Sequence, residues 1–405
     1  MVKIPVFEVE QWMDRYENTP GALNIAETCC SSISIDQLVQ FNSDKQSDAH
    51  PLIDFSIPMT YGPIRGSDEL RRNIIATYNE DVDTATVAPL STENVIVTQG
   101  AISANHLVFY SLIGSGDHVI CVHPTYQQLY SVPESLGAEV SLWELRPENG
   151  YIPDVAELNT LIRDNTKMIV INNPNNPTGA TIPKEVLAKI IDVAQRHGII
   201  VFSDEVYRPL FHSLDPGKIP PSALALGYSK VVVTSSMSKS WALAGIRVGW
   251  VASPDASIIE TIASARDYTT ISVSQLDDHL ARYALSASVR PQLLERNISL
   301  AKENVRLLEQ FVQDHSSVCS WVKPTAGTTA FVQFKNKEGA PVDDEAFSKD
   351  VLDKTKVLFV SGSRCFGYGQ TSPFRGFVRI GYVNKTEILR QALEKLGSYL
   401  VDNLE

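Results

Sequence analysis

The chain has 405 residues, of which 43% are apolar and 20% are charged, and its formal net charge at pH 7 is −12. This length predicts two domains with an ordinary globular composition. The acidic balance, without clustered Lys and Arg, disfavours a nucleic-acid-binding surface, and the longest apolar runs are too short to span a membrane. Five cysteines, without a secretory signal or metal-ligand spacing, predict a reducing, cytoplasmic setting and no metal site.

Strand-like and helix-like patterns alternate through the middle of the chain. In chain order the predicted elements are a strand at Asn94–Thr98, a helix at Ala101–Ile113, a strand at His118–Val122, a helix from about Gln127, a strand at Met168–Asn172, a helix at Pro183–His197, and strands at Ile199–Ser203 and Lys230–Thr234. This alternation predicts an α/β fold, with a largely parallel sheet covered by helices on both faces. Ligands of such sheets gather at the carboxyl ends of the strands.

One lysine, Lys239, lies in the segment SSMSKSWALAGIRVGW that follows the last predicted strand. Among small and apolar residues, a lysine loses part of the solvation that favours its charged form, so its amine can form a Schiff base with a carbonyl. Ser236, Ser238 and Arg247 are residue types that hold a phosphate dianion. An aldehyde that also bears a phosphate satisfies both halves of the segment, which predicts pyridoxal phosphate as cofactor. The alternative is a buried structural lysine.

The same segment resembles the cofactor-lysine signature of the class I/II aminotransferases, a family of fold-type-I pyridoxal-phosphate enzymes. Further matching motifs are TYG…GSDELR at residues 60–71, TQGAIS at 98–103, the GD…P-x-Y segment at 116–126, NNPNNPTG at 172–179, SDEVY at 203–207 and FVRIGY at 377–382. The resemblance implies a large domain, with a mostly parallel seven-stranded sheet between helices, and a small α+β domain. It divides the chain into an N-terminal segment of the small domain (1–50), the large cofactor-binding domain (51–290) and the small C-terminal domain (291–405).

Family roles follow for the residues that match these motifs. Those implied to bind the cofactor are Tyr61, Gly100, Ala101, Ile102, Tyr126, Asn176, Asp204, Tyr207, Ser236, Ser238, Lys239 and Arg247. Among them, Asp204 pairs with the pyridine nitrogen, Tyr207 hydrogen-bonds the ring oxygen and Lys239 forms the Schiff base, so these three are the implied catalytic residues. Arg379 and Asn176 are implied to bind the substrate. Each has an ordinary alternative, such as a helix cap for Asp204 or an internal ion pair for Arg379.

The resemblance implies transamination between an L-amino acid and a 2-oxo acid. The role of Tyr61, which reaches the phosphate of the neighbouring subunit in relatives, implies a homodimer with shared active sites. The fold also supports other chemistry, so the alternative is a specialised lyase, cyclase or oxidase acting on an amino acid, with arginine-derived amino acids among the candidates. A non-catalytic regulator is disfavoured, because the chain has no basic helical segment.

The N-terminal stretch LNIAETCCSSISIDQL, residues 23–38, departs from the L-x-x-G-x-P motif of many relatives. Side-chain selectivity is often determined there, so the substrate cannot be transferred from the family. Glu27 either meets a cationic substrate side chain or lies on a solvated face. No arginine aligns securely with the dicarboxylate-binding position, for which Arg266 is nearest and Tyr268 is the expected occupant. An aspartate specialist is therefore disfavoured.

Overall fold

The computed structural model describes residues 4–44, 52–54, 56–369 and 372–405. Its helices are α1 (Glu8–Tyr16), α2 (Ile35–Gln40), α3 (Asp68–Asn79), α4 (Gly100–Leu112), α5 (Gln128–Ser135), α6 (Val155–Leu161), α7 (Lys184–His197), α8 (Ala256–Arg266), α9 (Gln275–Ala284), α10 (Arg290–Asp314), α11 (Asp344–Thr355), α12 (Gly362–Phe366) and α13 (Thr386–Asn403). Its strands are β1 (Leu23–Asn24), β2 (Val95–Thr98), β3 (His118–His123), β4 (Glu139–Glu144), β5 (Thr166–Asn172), β6 (Ile200–Asp204), β7 (Val231–Ser236), β8 (Gly249–Ala252), β9 (Cys319–Trp321), β10 (Thr329–Phe334), β11 (Val357–Leu358), β12 (Val360–Ser361) and β13 (Phe377–Gly381).

A seven-stranded sheet forms the centre of the larger part, in the order β2-β8-β7-β6-β5-β3-β4. The five strands from β7 to β4 are parallel, whereas β8 runs antiparallel to both of its neighbours. Every residue of β6 and β7 is buried, because helices cover both faces of a parallel sheet. The predicted α/β fold, with a mostly parallel sheet between helices, is confirmed.

The predicted strands and helices of the middle region are all present, with ends that differ by no more than two residues. Helix α7 follows Pro183 and ends at Gly198, whose φ of +67° is the left-handed conformation that suits glycine at a helix end. Two strands of the large sheet were not predicted: β4 is a partly exposed edge strand, and β8 is a four-residue strand that begins within the segment interpreted as the lysine motif.

The smaller part is built from the C-terminal region together with the N-terminal segment. Strands β12, β13, β10 and β9 form an antiparallel sheet, and β1 pairs in parallel with β11. Ile25 and Cys30 belong to the same apolar core as residues of α10 and α13. The indole of Trp12 in α1 donates to the carbonyl of Phe359 at 3.0 Å. The N-terminal segment is thus attached to the C-terminal region.

The same N-terminal segment also contacts the larger part. The backbone N–H of Cys30 donates to the carbonyl of Lys239 at 3.3 Å, and that of Ile33 donates to the carbonyl of Ala242 at 3.2 Å. The segment therefore runs between the two parts, next to the carboxyl ends of the parallel strands. The predicted boundary between residues 50 and 51 lies outside the described residues. No helix in the described ranges has the length and apolar character that crossing a bilayer requires.

Candidate active site

A cavity of about 290 Å³ opens at the carboxyl ends of β5, β6 and β7. Eleven of the predicted site residues line it: Ala101, Ile102, Tyr126, Asn176, Asp204, Tyr207, Ser236, Ser238, Lys239, Arg247 and Arg379. They come from segments far apart in the sequence, because crossover connections bring successive strand ends to one sheet edge. Gly100 lies behind this wall, against Arg247. Tyr61 does not line the cavity, and 82% of its surface is exposed.

An anion-binding cradle occupies one end of the cavity, where β2 leads into α4. Gly100 has a φ of +74°, and a Cβ built on it would lie 2.6 Å from Nη2 of Arg247. Arg247 donates from Nη1 to Oγ of Ser238 at 3.3 Å and forms no ion pair with any described residue. The N-terminus of α4, with its free N–H groups, completes the cradle. A guanidinium without a carboxylate, two hydroxyl groups and a helix N-terminus fit a phosphate dianion.

Asp204 forms the inner wall of the cavity at the end of β6 and is only 3% exposed. Its Oδ2 accepts from Nδ2 of Asn105 at 3.0 Å, and its Oδ1 accepts from the N–H of Val206 at 3.1 Å. Burial raises its pKa to about 6, against the lowering effect of these hydrogen bonds and of Lys239. No cation among the described residues forms an ion pair with Asp204, so its carboxylate fits a protonated ring nitrogen.

Arg379, in β13, lies across the cavity and is 3% exposed. Its Nη2 donates to the carbonyl of Ala26 at 2.9 Å, and its Nη1 lies 3.4 Å from Oδ1 of Asn176. Its Nε has no hydrogen-bond partner, and no carboxylate among the described residues pairs with the guanidinium. An internal ion pair, the alternative for this arginine, is therefore absent from the described chain. A buried, unpaired guanidinium that faces a cavity suits a carboxylate ligand.

The ammonium group of Lys239 is surrounded by the N-terminal segment. Its Nζ donates to Oγ1 of Thr28 at 2.6 Å, lies 3.4 Å from Sγ of Cys29 and is 3.7 Å from Oε1 of Glu27. Burial alone lowers the pKa of this ammonium, but the anionic forms of Cys29 and Tyr207 and the Glu27 carboxylate outweigh it and raise the pKa above its usual value. The predicted loss of solvation is present, but it does not decide the pKa, because neighbours that the sequence segment around Lys239 does not reveal outweigh it.

Two polar residues of the site were missed by the sequence reasoning. Asn105, in α4, links Asp204 to Thr234. Its amide nitrogen donates to Asp204, and its Oδ1 accepts from the hydroxyl of Thr234 at 2.6 Å. The Oδ1 of Asn172 accepts from the backbone N–H of Asn176 at 2.7 Å, which fixes the turn that carries Asn176. A polar residue on the buried face of α4 was the available signal for Asn105, while Asn172 lay inside the quoted turn motif.

The wall contributed by α1 was also missed. Val9, Glu10, Met13 and Glu17 line the cavity, and the hydroxyl of Tyr126 donates to Oε1 of Glu10 at 2.8 Å. Helical spacing was visible in α1, but its position over the cavity depends on contacts with residues more than three hundred positions later. By contrast, the side chains of Arg266 and Tyr268 do not line the cavity: Arg266 is buried and lies 3.4 Å from the carbonyl of Val97, and Tyr268 is 89% exposed.

Comparison with known proteins resolves the family. Residues 39–396 match the family model described as aminotransferase class I and II. The chain belongs to this family. An aspartate aminotransferase of Pyrococcus horikoshii is 30% identical over 342 residues, covering 84% of this chain and 83% of the relative. A capreomycidine synthase of Streptomyces vinaceus is 29% identical over 345 residues, covering 84% and 81%.

A solved structure leads to the same family. The crystal structure of a PLP-dependent aminotransferase from Streptococcus suis superposes with a TM-score of 0.87 and 36% identity, covering 100% of this chain and 99% of that one. The fold is therefore that of the fold-type-I pyridoxal-phosphate enzymes, and the cofactor is pyridoxal phosphate. As a member of the aminotransferase family, the present chain uses an amino acid and a 2-oxo acid as substrates. The predicted family, fold, enzyme class and cofactor are confirmed.

Proposed function

We propose that this aminotransferase performs its reaction in the cavity between α1 and the strand ends, with Lys239 as the residue that carries the cofactor. The observation that supports this most strongly is that Lys239, Asp204, Arg247 and Arg379 line one cavity. Each of these groups lacks a permanent partner of the kind that the cofactor or substrate supplies: an aldehyde, a protonated ring nitrogen, a phosphate and an α-carboxylate.

Bound pyridoxal phosphate supplies an aldehyde that condenses with amines and a pyridine ring that withdraws electrons from the substrate Cα. Asp204 would pair with the protonated ring nitrogen and keep the ring an electron acceptor, and Tyr207 and Asn176 would donate to the ring oxygen. The ring of Tyr126 would pack against the cofactor. The Nζ of Lys239 would hold the cofactor and, when free, would serve as the general base and acid that moves the substrate's Cα proton. Arg379 holds the α-carboxylate and thereby orients Cα.

The phosphate is bound, in this proposal, by the cradle at the end of β2 and β7. Ser236, Ser238 and Arg247 contribute side chains, and the N-terminus of α4 at Gly100, Ala101 and Ile102 contributes N–H groups.

Replacing Lys239 tests whether it forms the covalent bond to the cofactor while the cradle binds the phosphate. Lys239→Ala is expected to keep the fold and bind the cofactor without a covalent bond. Borohydride reduction therefore gives a mass adduct in the native protein alone. An adduct on another lysine of the variant would contradict the assignment.

The reaction type is tested by absorbance of the native enzyme with a panel of amino acids. Transamination removes the band of the lysine-bound cofactor when the amino donor is added, and a 2-oxo acid restores it. Release of ammonia, or consumption of oxygen without a 2-oxo acid acceptor, supports instead a lyase, cyclase or oxidase. The similarity to a capreomycidine synthase is the reason to test this alternative.

We also infer a homodimer with shared active sites and a division into residues 1–50, 51–290 and 291–405. The exposed position of Tyr61, away from its own cavity, supports a role across an interface. The pairing of β1 with β11 supports assigning the N-terminal segment to the small domain. All five cysteines are unpaired, which supports a reducing, cytoplasmic location.

A further inference from the structure

Three carboxylates of the cavity wall have no role in the chemistry proposed above: Glu10, Glu17 and Glu27. The cations of the same wall are Lys239, Arg247 and Arg379. The cofactor aldehyde, the cofactor phosphate and the substrate α-carboxylate engage these three cations in turn. With the cofactor and the α-carboxylate in place, the cavity therefore keeps an excess of negative charge without any cation of its own wall to balance it.

Two of these carboxylates belong to α1 and its C-terminal cap. Glu10 lies in α1, Glu17 directly follows the helix with helical backbone angles, and the two are seven residues apart, about two helical turns, with Met13 between them. Among the described residues, neither carboxylate forms an ion pair. Glu10 accepts only the hydroxyl of Tyr126, the ring that is proposed to stack on the cofactor. This places Glu10 beside the reacting part of the cavity.

The third carboxylate, Glu27, is fixed in direction by the backbone of its own segment. The N–H groups of Thr28 and Cys29 donate to its Oε1 at 2.6 and 2.9 Å. In the cofactor-free chain, burial opposes ionisation, but the Lys239 ammonium and these hydrogen bonds outweigh it and lower the pKa of Glu27 to about 2. When the cofactor engages Lys239, the two backbone N–H groups still favour the carboxylate. The side chain lines the cavity and is 45% exposed, so the carboxylate is accessible to a ligand.

A second observation indicates that the ligand in this cavity carries a carboxylate. Arg379 is 97% buried, faces the cavity and has an unpaired Nε, which marks the position of a ligand carboxylate. Its guanidinium donates to the carbonyl of Ala26, the residue directly before Glu27. The site for the α-carboxylate and the nearest of the three acids thus adjoin the same short segment.

We propose, on the basis of the function proposed above, that the amino donor is an amino acid whose side chain ends in an ammonium or guanidinium group. Glu10, Glu17 and Glu27 bind this group while Arg379 binds the α-carboxylate. An acidic side chain is repelled by the three carboxylates, and a neutral one leaves them unpaired in a cavity narrowed by the cofactor.

The test measures binding without catalysis. The probe is arginine without its α-amino group, which cannot condense with the cofactor, and the comparison is its neutral urea analogue, citrulline without its α-amino group. Calorimetry with the native holoenzyme is expected to give a Kd about tenfold or more lower for the guanidinium compound, the scale of a hydrogen bond between charged groups. Glu27→Gln and Glu10→Gln each reduce this ratio severalfold, and raising the salt concentration reduces it further.

Glu148→Gln is the matched control, because Glu148 lies on an exposed turn outside the cavity, and it leaves the ratio unchanged. Equal affinity for the two compounds, or a ratio that both cavity variants preserve, overturns the inference. Its failure is distinct from that of the proposed function. Transamination of neutral or acidic amino acids without guanidinium preference refutes only the cationic site, whereas preferential binding with ammonia release instead of transamination refutes only the reaction type.

Discussion

Replacing Asp204 by asparagine tests whether the site stores a destabilised carboxylate for the cofactor. Burial raises the pKa of this group to about 6 from an ordinary 3.8. One pH unit corresponds to about 1.4 kcal/mol, so ionised Asp204 costs the folded protein about 3 kcal/mol at pH 7.5 in the absence of cofactor. The asparagine amide loses one hydrogen bond, because its NH₂ group opposes that of Asn105, at about 1 kcal/mol. The cofactor-free variant should therefore be about 2 kcal/mol more stable than the native chain.

The pH dependence follows from the sign of the shift. Because the pKa is raised in the folded state, the folded chain binds more protons than the unfolded chain between about pH 3.8 and 6, and its stability falls as the pH rises through that window. Above it the full cost remains. At pH 5 the cost is smaller by about 1.4 kcal/mol than at pH 7.5, so the advantage of the variant shrinks by that amount.

The assay is urea unfolding of both cofactor-free proteins at pH 5 and 7.5, followed by circular dichroism. Asp255→Asn provides a matched control, because hydrogen bonds from residues 257 and 258 outweigh burial there and lower the pKa, so that variant gains no stability at neutral pH. With cofactor bound, the order for Asp204→Asn reverses, and transamination falls by about a hundredfold or more. A variant that is no more stable than the native chain at pH 7.5, with the same difference at pH 5, would refute the reasoning.

Three further outcomes are expected. Gly100→Ala places a Cβ 2.6 Å from Nη2 of Arg247 at a φ of +74°, so the Kd for cofactor rises about tenfold while the circular dichroism spectrum is retained; an unchanged Kd contradicts the cradle. Arg379→Lys loses the two-pronged contact with the α-carboxylate, so KM for the amino donor rises roughly tenfold or more with unchanged cofactor affinity; weaker cofactor binding with a normal KM would argue against the assignment. Mixed dimers of Tyr61→Ala and Lys239→Ala subunits, each inactive alone, regain roughly a quarter of native activity because half of the dimers contain one intact site; no recovery from refolded mixtures excludes the shared site.

Local patterns predicted five of the seven strands of the large sheet, and the motifs shared with the family implied which residues after those strands line the cavity. Buried strands such as β6 have continuous apolar sequences, and the turns that follow them carry short polar motifs at sites such as Asp204 and Asn176. Both signals lie within a few residues of one another in the sequence. Because parallel strand ends meet at one edge, placing each motif after its strand was enough to bring these residues together.

Long-range contacts explain what the sequence could not reveal. The charge state of Lys239 depends on Glu27 and Cys29, which lie more than two hundred residues earlier, and no local pattern links them. The position of α1 over the cavity depends on Trp12 and its contact with Phe359. Pairings at such separations are determined by the packed fold, and the two-residue strand β1 is too short to have a recognisable period.

These long-range contacts place one short N-terminal segment against both Arg379 and Lys239. The segment from Ala26 to Cys29 contacts Arg379 at one end and Lys239 at the other, yet it is anchored by β1 to the C-terminal region. Asp204 and Arg247 are anchored instead in the large sheet and its turns. A substitution at Glu27 therefore changes the charge in the cavity and the surroundings of Lys239 while leaving the supports of Asp204 and Arg247 unchanged. If Glu27 binds the substrate side chain as proposed, such a substitution alters substrate preference more than it alters binding of the ring nitrogen and the phosphate.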